Sequence, residues 1–233
     1  MLNPLDYSPS DTVKNLVRNA RILFIVGPSG TGKNTVIEKL SKDSRFHEII
    51  TATTRSPRLN HGVMEKDGEI YHFVSIKEFE EMVKNGELVE YAFVHNQNYY
   101  GTPVKEFEIS NRENKIAIAD VEVNGVNSFL KINPDTKTIF LLPPDLETLL
   151  SRVFKRDQAV ENKKDLIDRL KTSIDEYNIA LSTHNYIFVV NDDLNRALDE
   201  INQILDGNIP PQEDKIKLIN ELKDQIEEYL KVI

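Results

Sequence analysis

Gly27-Pro28-Ser29-Gly30-Thr31-Gly32-Lys33 follows the apolar run Ile22-Leu23-Phe24-Ile25-Val26 and precedes a helical pattern from Thr35 to Leu40. Strand, glycine-rich turn and helix in that order is the context in which a G-x-x-x-x-G-K match carries weight. The glycines let backbone N–H groups converge on one point, a concavity that suits phosphate oxygens. The helix adds its free amides and positive dipole end, and Lys33 adds a mobile cation for the outer phosphates. The stretch reads as a loop for a nucleoside triphosphate. Its candidate contacts are Gly27, Pro28, Ser29, Gly30, Thr31, Gly32, Lys33, Asn34 and Thr35. The commonest pattern puts Ser or Thr directly after the lysine, to meet Mg²⁺. Asn34 stands there instead, so an ion is expected to be held mainly by phosphates and water, which Mg²⁺ tolerates.

The chain has 233 residues, room for one sizeable α/β domain with small appendages or at most two small domains. Charged residues at 29% and hydrophobic ones at 39% are globular values. A net charge of −9 argues against a general nucleic-acid or membrane-surface binder, so local arginine clusters stand out. Cysteine is absent, which excludes disulfides and thiolate metal sites and fits a reducing compartment. The first 20 residues carry Asp6, Asp11, Lys14 and Arg18 and lack an apolar signal core. No apolar run approaches bilayer length. A cytoplasmic protein is the expectation.

Short apolar runs at Ile22–Val26, Lys115–Ala119, Thr138–Leu142 and Tyr186–Val190 alternate with helical stretches, and His47–Thr51 is a weaker strand candidate. Such runs suit strands buried on both faces, and the alternation predicts a parallel sheet with right-handed crossovers. Helices are expected near 35–43, 76–85, 103–112, 145–156, 161–182, 193–206 and 212–232. Ser75 with Glu78 forms a capping box, and Gly86 is placed to end that helix. Two segments break the rhythm: 52–102, dense in polar, aromatic and basic residues, and the strongly charged 151–170. In a P-loop kinase these are the places of a substrate-binding insertion and a lid.

Thr53-Thr54-Arg55-Ser56-Pro57-Arg58 holds two guanidinium groups close together, an arrangement that calls for an anion between them. Downstream come Glu65-Lys66-Asp67-Gly68-Glu69-Ile70-Tyr71, then Glu90, then Asn98-Tyr99-Tyr100-Gly101-Thr102. In this combination the chain resembles the guanylate kinase family, from about Arg21 to Leu205. The resemblance rests on G-P-S-G-x-G-K, T-T-R-x-P-R, N-Y-Y-G-T, an apolar strand ending in Asp120, and N-D-D at 191–193, in that order. It implies a three-layer α/β P-loop kinase fold with a central parallel sheet. The core would be 21–51 and 103–207, with a GMP-binding insertion at about 52–102 and a lid at about 151–170. An N-terminal extension, 1–20, and a C-terminal helix, 208–233, would flank the 21–207 domain.

The resemblance implies ATP-dependent phosphorylation of GMP, and of dGMP, with Mg²⁺ arriving with ATP and no protein-built metal site. Arg55, Arg58, Tyr71 and Tyr100 fall at positions that hold the GMP phosphate, with Glu65 alongside. Glu90 and Thr102 fall at the guanine-contacting acid and hydroxyl, Thr51 at a further hydroxyl facing the base, and Asp120 at an acid near bound GMP. Arg152, Arg156 and Arg169 match arginines of the lid and its following helix and, with Lys33 and Arg55, are the catalytic candidates. Asn191 matches a residue near the adenine. ATP and GMP are the implied partners, without nucleic acid or membrane, for a monomer or homodimer.

Chemistry supports the base assignment. Guanine presents two adjacent donors, and a carboxylate such as Glu90 accepts both, whereas adenine would turn a lone pair towards the charge. A site built on such a pair rejects the wrong base by roughly four to five powers of ten. Phosphoryl transfer needs alignment, charge neutralisation and dryness rather than a strong base, so the histidines at 47, 61, 72, 95 and 184 are not needed for it. The chain departs from the family pattern in a longer stretch between Arg58 and Glu65 that includes His61. It departs also in Glu122 of Asp120-Val121-Glu122, in Asp157 after Arg156, and in one residue more between Glu90 and Tyr100. Asn162-Lys163-Lys164-Asp165 has the N-K-x-D form of a GTPase but no apolar strand before it, and reads as a solvated helical face. A catalytically weak protein-binding module and a related kinase with another phosphorylated acceptor are the remaining alternatives. The retained arginines and Glu90, Tyr100 and Thr102 oppose them.

Overall fold

The computed structural model describes residues 2–60, 63–94, 97–121, 123–156, 163–183 and 185–233. The chain runs through α1 (Asp11–Arg18), β1 (Arg21–Val26), α2 (Lys33–Leu40), β2 (Phe46–Glu48), β3 (Thr51–Thr53), β4 (Leu59–Asn60) and β5 (Val63–Met64). Then come β6 (Tyr71–Phe73), α3 (Ile76–Asn85), β7 (Leu88–Val94), β8 (Asn98–Pro103), α4 (Val104–Arg112), β9 (Ile116–Asp120) and α5 (Val123–Ile132). It closes with β10 (Lys137–Leu142), α6 (Leu146–Arg156), α7 (Lys163–Ser182), β11 (Ile187–Val190), α8 (Leu194–Leu205) and α9 (Glu213–Val232). The fold is α/β with a central parallel sheet. Contacts divide the chain into two compact units, Met1–Ile22 with Asp43–Ala119 and Ser128–Asp135, and Leu23–Lys42 with Asp120–Asn127 and Thr136–Ile233.

In the second unit β1 pairs in parallel with β10, Leu23 opposite Lys137 and Val26 opposite Phe140, and β10 pairs in parallel with β11. Leu23 to Val26 and Ile139 to Leu142 are buried without interruption, which is what strands covered on both faces require. Phe140 sits among the rings of Tyr177, Tyr186 and Phe188 at 5.7–5.9 Å. The last helix, α9, packs against α6, α7 and β11. Its seam residues Ile219, Leu222 and Ile226 are buried, so the seam closes on the protein's own body. Gln212, just before α9, accepts a hydrogen bond from the Phe188 amide of β11 at 2.7 Å.

In the first unit β2 and β9 form a parallel pair, Phe46 opposite Ile116. The segment 52–102 builds a sheet in the order β6-β3-β8-β7, with β6 parallel to β3 and the other pairs antiparallel. Ala52, Phe79, Leu88, Tyr91 and Tyr99 form its core. The Ser75–Glu78 capping box is present, and Gly86 at φ 70° ends α3 in a left-handed turn. The longer stretch after Arg58 is a hairpin of β4 and β5, Leu59 opposite Met64. The N-terminal segment is part of this unit: Val13 and Val17 of α1 are buried, and Asn133 donates to the Val17 and Ala20 carbonyls.

The structure differs from expectation at four places. α1 and α5 form where no helix was anticipated. In α1, Ser10 caps the Val13 amide and the short apolar pair Val13/Val17 gains its burial from tertiary contacts. The single strand expected at His47–Thr51 is two, β2 and β3, which belong to different sheets. The helix that follows the glycine-rich loop begins at Lys33 and stops at Leu40, short of residue 43.

Truncating the buried α9 seam tests its packing. Leu222→Ala and Ile226→Ala should each lower unfolding free energy by about 2–5 kcal/mol, as large-to-small core substitutions do. Exposed Ile216→Ala should stay within about 0.5 kcal/mol. Equal denaturant midpoints for the three variants would show that the seam does not pack on the body.

Candidate functional site

The candidate residues fall into two groups, each built within one unit. In the second unit β1 delivers the chain into the loop Gly27 to Gly32, and Lys33 opens α2. Gly32 is the N-cap of α2 at φ 95°, and a Cβ there would overlap the Asn191 side-chain amide. Gly27, at φ 130°, lies so close to β10 that a Cβ would sit 2.6 Å from the Leu141 carbonyl oxygen. Both positions need glycine on geometry and on space. Thr31 is fully buried, its hydroxyl donating to the Pro28 carbonyl at 2.9 Å. The Lys33 ammonium donates to the Gly27 carbonyl at 2.6 Å and to that of Pro28 at 3.3 Å. Asn34 and Thr35 are exposed on the first turn of α2.

Three further residues converge on this loop. Asn191, at the end of β11 and 5% exposed, donates its amide to the Thr31 carbonyl at 2.8 Å. Arg152 of α6 donates to the Asn191 carbonyl at 2.9 Å and to that of Thr31 at 3.5 Å. Arg169 of α7 pairs with Asp165 at 2.9 Å and reaches the Ser29 hydroxyl at 3.4 Å. The structure thus brings Lys33, Arg152, Arg169 and Asn191 to one glycine-rich loop. Arg156 ends α6, but its side chain lies outside the described residues, as do residues 157–162 of the expected lid, Glu122, His61, His95 and His184. Asp120 is exposed at the end of β9. Lys163 and Lys164 are exposed on the first turn of α7, so the N-K-x-D stretch is a helical face from 163 onwards.

In the first unit Arg55 is the organising side chain, only 7% exposed. Its Nη1 lies 2.9 Å from Glu65 Oε2 and its Nη2 donates to Glu65 Oε1 at 3.2 Å, a two-pronged ion pair. The guanidinium also lies 5.1 Å from the Tyr71 ring centre and 5.5 Å from that of Phe73. Tyr100 packs edge-on against Tyr71 at 5.8 Å. Glu65 Oε2 accepts the Arg58 amide at 2.8 Å, while the Arg58 side chain is exposed. Burial alone would raise the Glu65 carboxyl, but hydrogen bonds and charge from Arg55 and Arg58 outweigh it and hold it below the usual carboxylate range.

Glu90 on β7 and Thr102 on β8 are cross-strand partners, and the Thr102 hydroxyl donates to Glu90 Oε1 at 2.6 Å. Thr51 opens β3, opposite Tyr71 in register. Sequence reasoning missed Phe73, whose ring completes the Arg55 cage; the alternation Tyr71-His72-Phe73, which puts the two rings on one face of a strand, was the available signal.

The guanylate kinase family model matches residues 19–208. The chain is 35% identical over 193 residues to a guanylate kinase of Caldanaerobacter subterraneus subsp. tengcongensis, covering 82% of this chain and 89% of the relative. It is 36% identical over 186 residues to a guanylate kinase of Clostridium acetobutylicum, covering 79% and 84%. Its fold is similar to the crystal structure of guanylate kinase from Anaplasma phagocytophilum, at a TM-score of 0.58 and 27% identity over 82% of this chain and 87% of that one.

The Arg55–Glu65 pair sets a pH dependence. A carboxyl depressed in the folded state stabilises above its ordinary value of 4.5, and that stability is lost as pH falls through the folded value. Glu65→Gln should therefore melt below wild type at neutral pH, and the gap should narrow as the pH falls below 4.5. A gap that stays constant down to that range would show that the pair does not stabilise the fold.

Proposed function

The chain belongs to the guanylate kinase family, and we propose that it transfers the γ-phosphoryl group of ATP to GMP, giving ADP and GDP, with dGMP as a second acceptor. The observation that carries the acceptor assignment is the Glu90–Thr102 pair in the same sheet as the caged Arg55. The Glu90 carboxylate offers two acceptor oxygens to guanine N1–H and the N2 amino group, and the Thr102 hydroxyl turns to donate to O6. Arg55, Arg58, Tyr71 and Tyr100 supply the cations and hydroxyls for the acceptor phosphate. Thr51, Glu65 and Asp120 complete the proposed acceptor set.

On the donor side the loop amides and the N-terminus of α2 take the ATP phosphates, and Asn191 fixes the loop beside the adenine. Lys33 exchanges the Gly27 and Pro28 carbonyls for the outer phosphates, and Arg152, Arg156 and Arg169 spread positive charge over the transferring group. The acceptor phosphate is already an anion, so no side chain need remove a proton. The residues fit Mg²⁺: Asn34 and Thr35 offer exposed oxygen donors on the first turn of α2, and the ion keeps most of its shell as water and phosphate oxygens. When bound it would neutralise phosphate charge. Among the described residues no helix is long and apolar enough to cross a membrane. We take the cytoplasm as the compartment, with a monomer or homodimer as the working form.

Two substitutions test the reading in a coupled assay with ATP and GMP. Lys33→Ala, folded by circular dichroism, should lose about two to four powers of ten in kcat; near-normal turnover would sink the assignment of phosphoryl transfer to this loop. Glu90→Gln turns an amide donor towards a guanine donor and should cost GMP binding about 1.5–3 kcal/mol while ATP binding stays unchanged. Equal GMP affinity by calorimetry would mean that Glu90 does not read the base.

A further inference from the structure

Glu106 belongs to none of the groups described so far, yet it is 3% exposed and sits in the first turn of α4. Its Oε2 lies 2.8 Å from His47 Nε2 on β2 and its Oε1 lies 3.4 Å from His72 Nε2 on β6. Burial alone would raise this carboxyl, but hydrogen bonds from His47 and His72 pull it below the usual range, so it is ionised. An ionised carboxylate only accepts, which fixes both imidazoles with the proton on Nε2.

One partner of Glu106 is a neighbour of the proposed acceptor residues: His72 directly follows Tyr71. Thr51 and Tyr71 are themselves opposite each other where β3 and β6 pair in parallel, as are Ala52 and His72. Phe73, the next residue of β6, forms the other face of the Arg55 cage. β6 spans only Tyr71–Phe73 and is the edge of its sheet, so its own ladder holds it weakly. α4 in turn begins one residue after Thr102 and Pro103. One buried carboxylate therefore ties β2, the middle of β6 and the helix behind Thr102.

We propose that Glu106 is a positioning residue for GMP: through His72 it sets the place of β6, and with it Tyr71 and the Phe73 face of the Arg55 cage that receives the acceptor phosphate. This rests on the reading of the enzyme as a GMP kinase. Replacing the carboxylate by an apolar group of similar size leaves the part-buried His47 and His72 donors without their acceptor and frees β6, whereas glutamine keeps an acceptor oxygen and offers an amide to an imidazole that has changed tautomer.

Steady-state kinetics of wild type, Glu106→Leu, Glu106→Gln and His72→Leu, with GMP and ATP varied in turn, decide the matter. Glu106→Leu should raise KM for GMP roughly ten- to a hundredfold, the scale of one charged hydrogen bond lost from a binding set, with KM for ATP unchanged. Glu106→Gln should recover most of that rise, and His72→Leu, whose site is half-buried, should show a smaller rise in KM for GMP alone. A folded Glu106→Leu with KM for GMP within about twofold of wild type overturns the proposal, as does a fall in kcat with both KM values unchanged, which reports only lost active protein. Should Glu106→Leu fail to fold, His72→Leu decides on the same split. Wild-type protein that does not phosphorylate GMP at all would overturn the functional reading instead, so the two failures are told apart in one assay.

Discussion

A guanidinium withdrawn from water governs the acceptor unit. Stripping Arg55 of its hydration costs several kcal/mol unless paired charge, hydrogen bonds and polarisable surface replace the lost water. Glu65 supplies the charge, the Ser56 carbonyl a hydrogen bond, and Tyr71 and Phe73 the aromatic faces. Sheet topology follows from that need. β6 must lie beside β3 so that its alternate residues face the arginine just beyond β3, and the parallel pairing Thr51 to Tyr71 and Thr53 to Phe73 does this. The Thr53 hydroxyl accepts the Arg55 amide at 3.1 Å and donates to the Tyr99 carbonyl at 3.0 Å, so the backbone around the cation is fixed as well.

Two cations of the other unit are held differently, and the difference suits their work. Lys33 and Arg152 are bound to backbone carbonyls, which are neutral acceptors. A phosphate oxygen carries charge where a carbonyl offers only a dipole, so it attracts such a cation more strongly than the carbonyl it displaces. Arg55, gripped by a carboxylate, is by contrast fixed in place before any ligand arrives. One unit presents a preorganised cation; in the other Lys33 and Arg152 are ready to move, while Arg169 is paired with Asp165.

Much of the fold was legible because it is local. The buried strands β1, β9, β10 and β11 are continuous apolar runs, and the capping box of α3 and its terminal Gly86 are spelled out in neighbouring residues. The phosphate loop was legible for the same reason, since three glycines and a lysine at fixed spacing force one backbone path. What escaped is non-local. Val13 and Val17 are too few to mark a helix alone, and α1 gains its burial from its surroundings. His47, His72 and Glu106 are spread over 59 residues and meet only once β2, β6 and α4 are in place. The Arg55–Glu65 pair lay between: the residues were picked out through family resemblance, but the two-pronged contact and the Phe73 face depend on the sheet.

The boundary of the family match is not a physical boundary in this chain. The match ends at residue 208, and α9 begins at Glu213. Yet Ile219, Leu222 and Ile226 are buried against α6, α7 and β11, each burial contributing about 1.5–3 kcal/mol. That sum is comparable with the roughly 5–15 kcal/mol by which a whole domain is stable. Gln212 occupies the Phe188 amide of β11, and Lys215 forms an ion pair with Glu200 of α8. A chain cut at the family boundary would expose the apolar faces of α6 and α7, the helices that carry Arg152 and Arg169 to the phosphate loop. The C-terminal helix is therefore part of the scaffold that holds the donor-side cations.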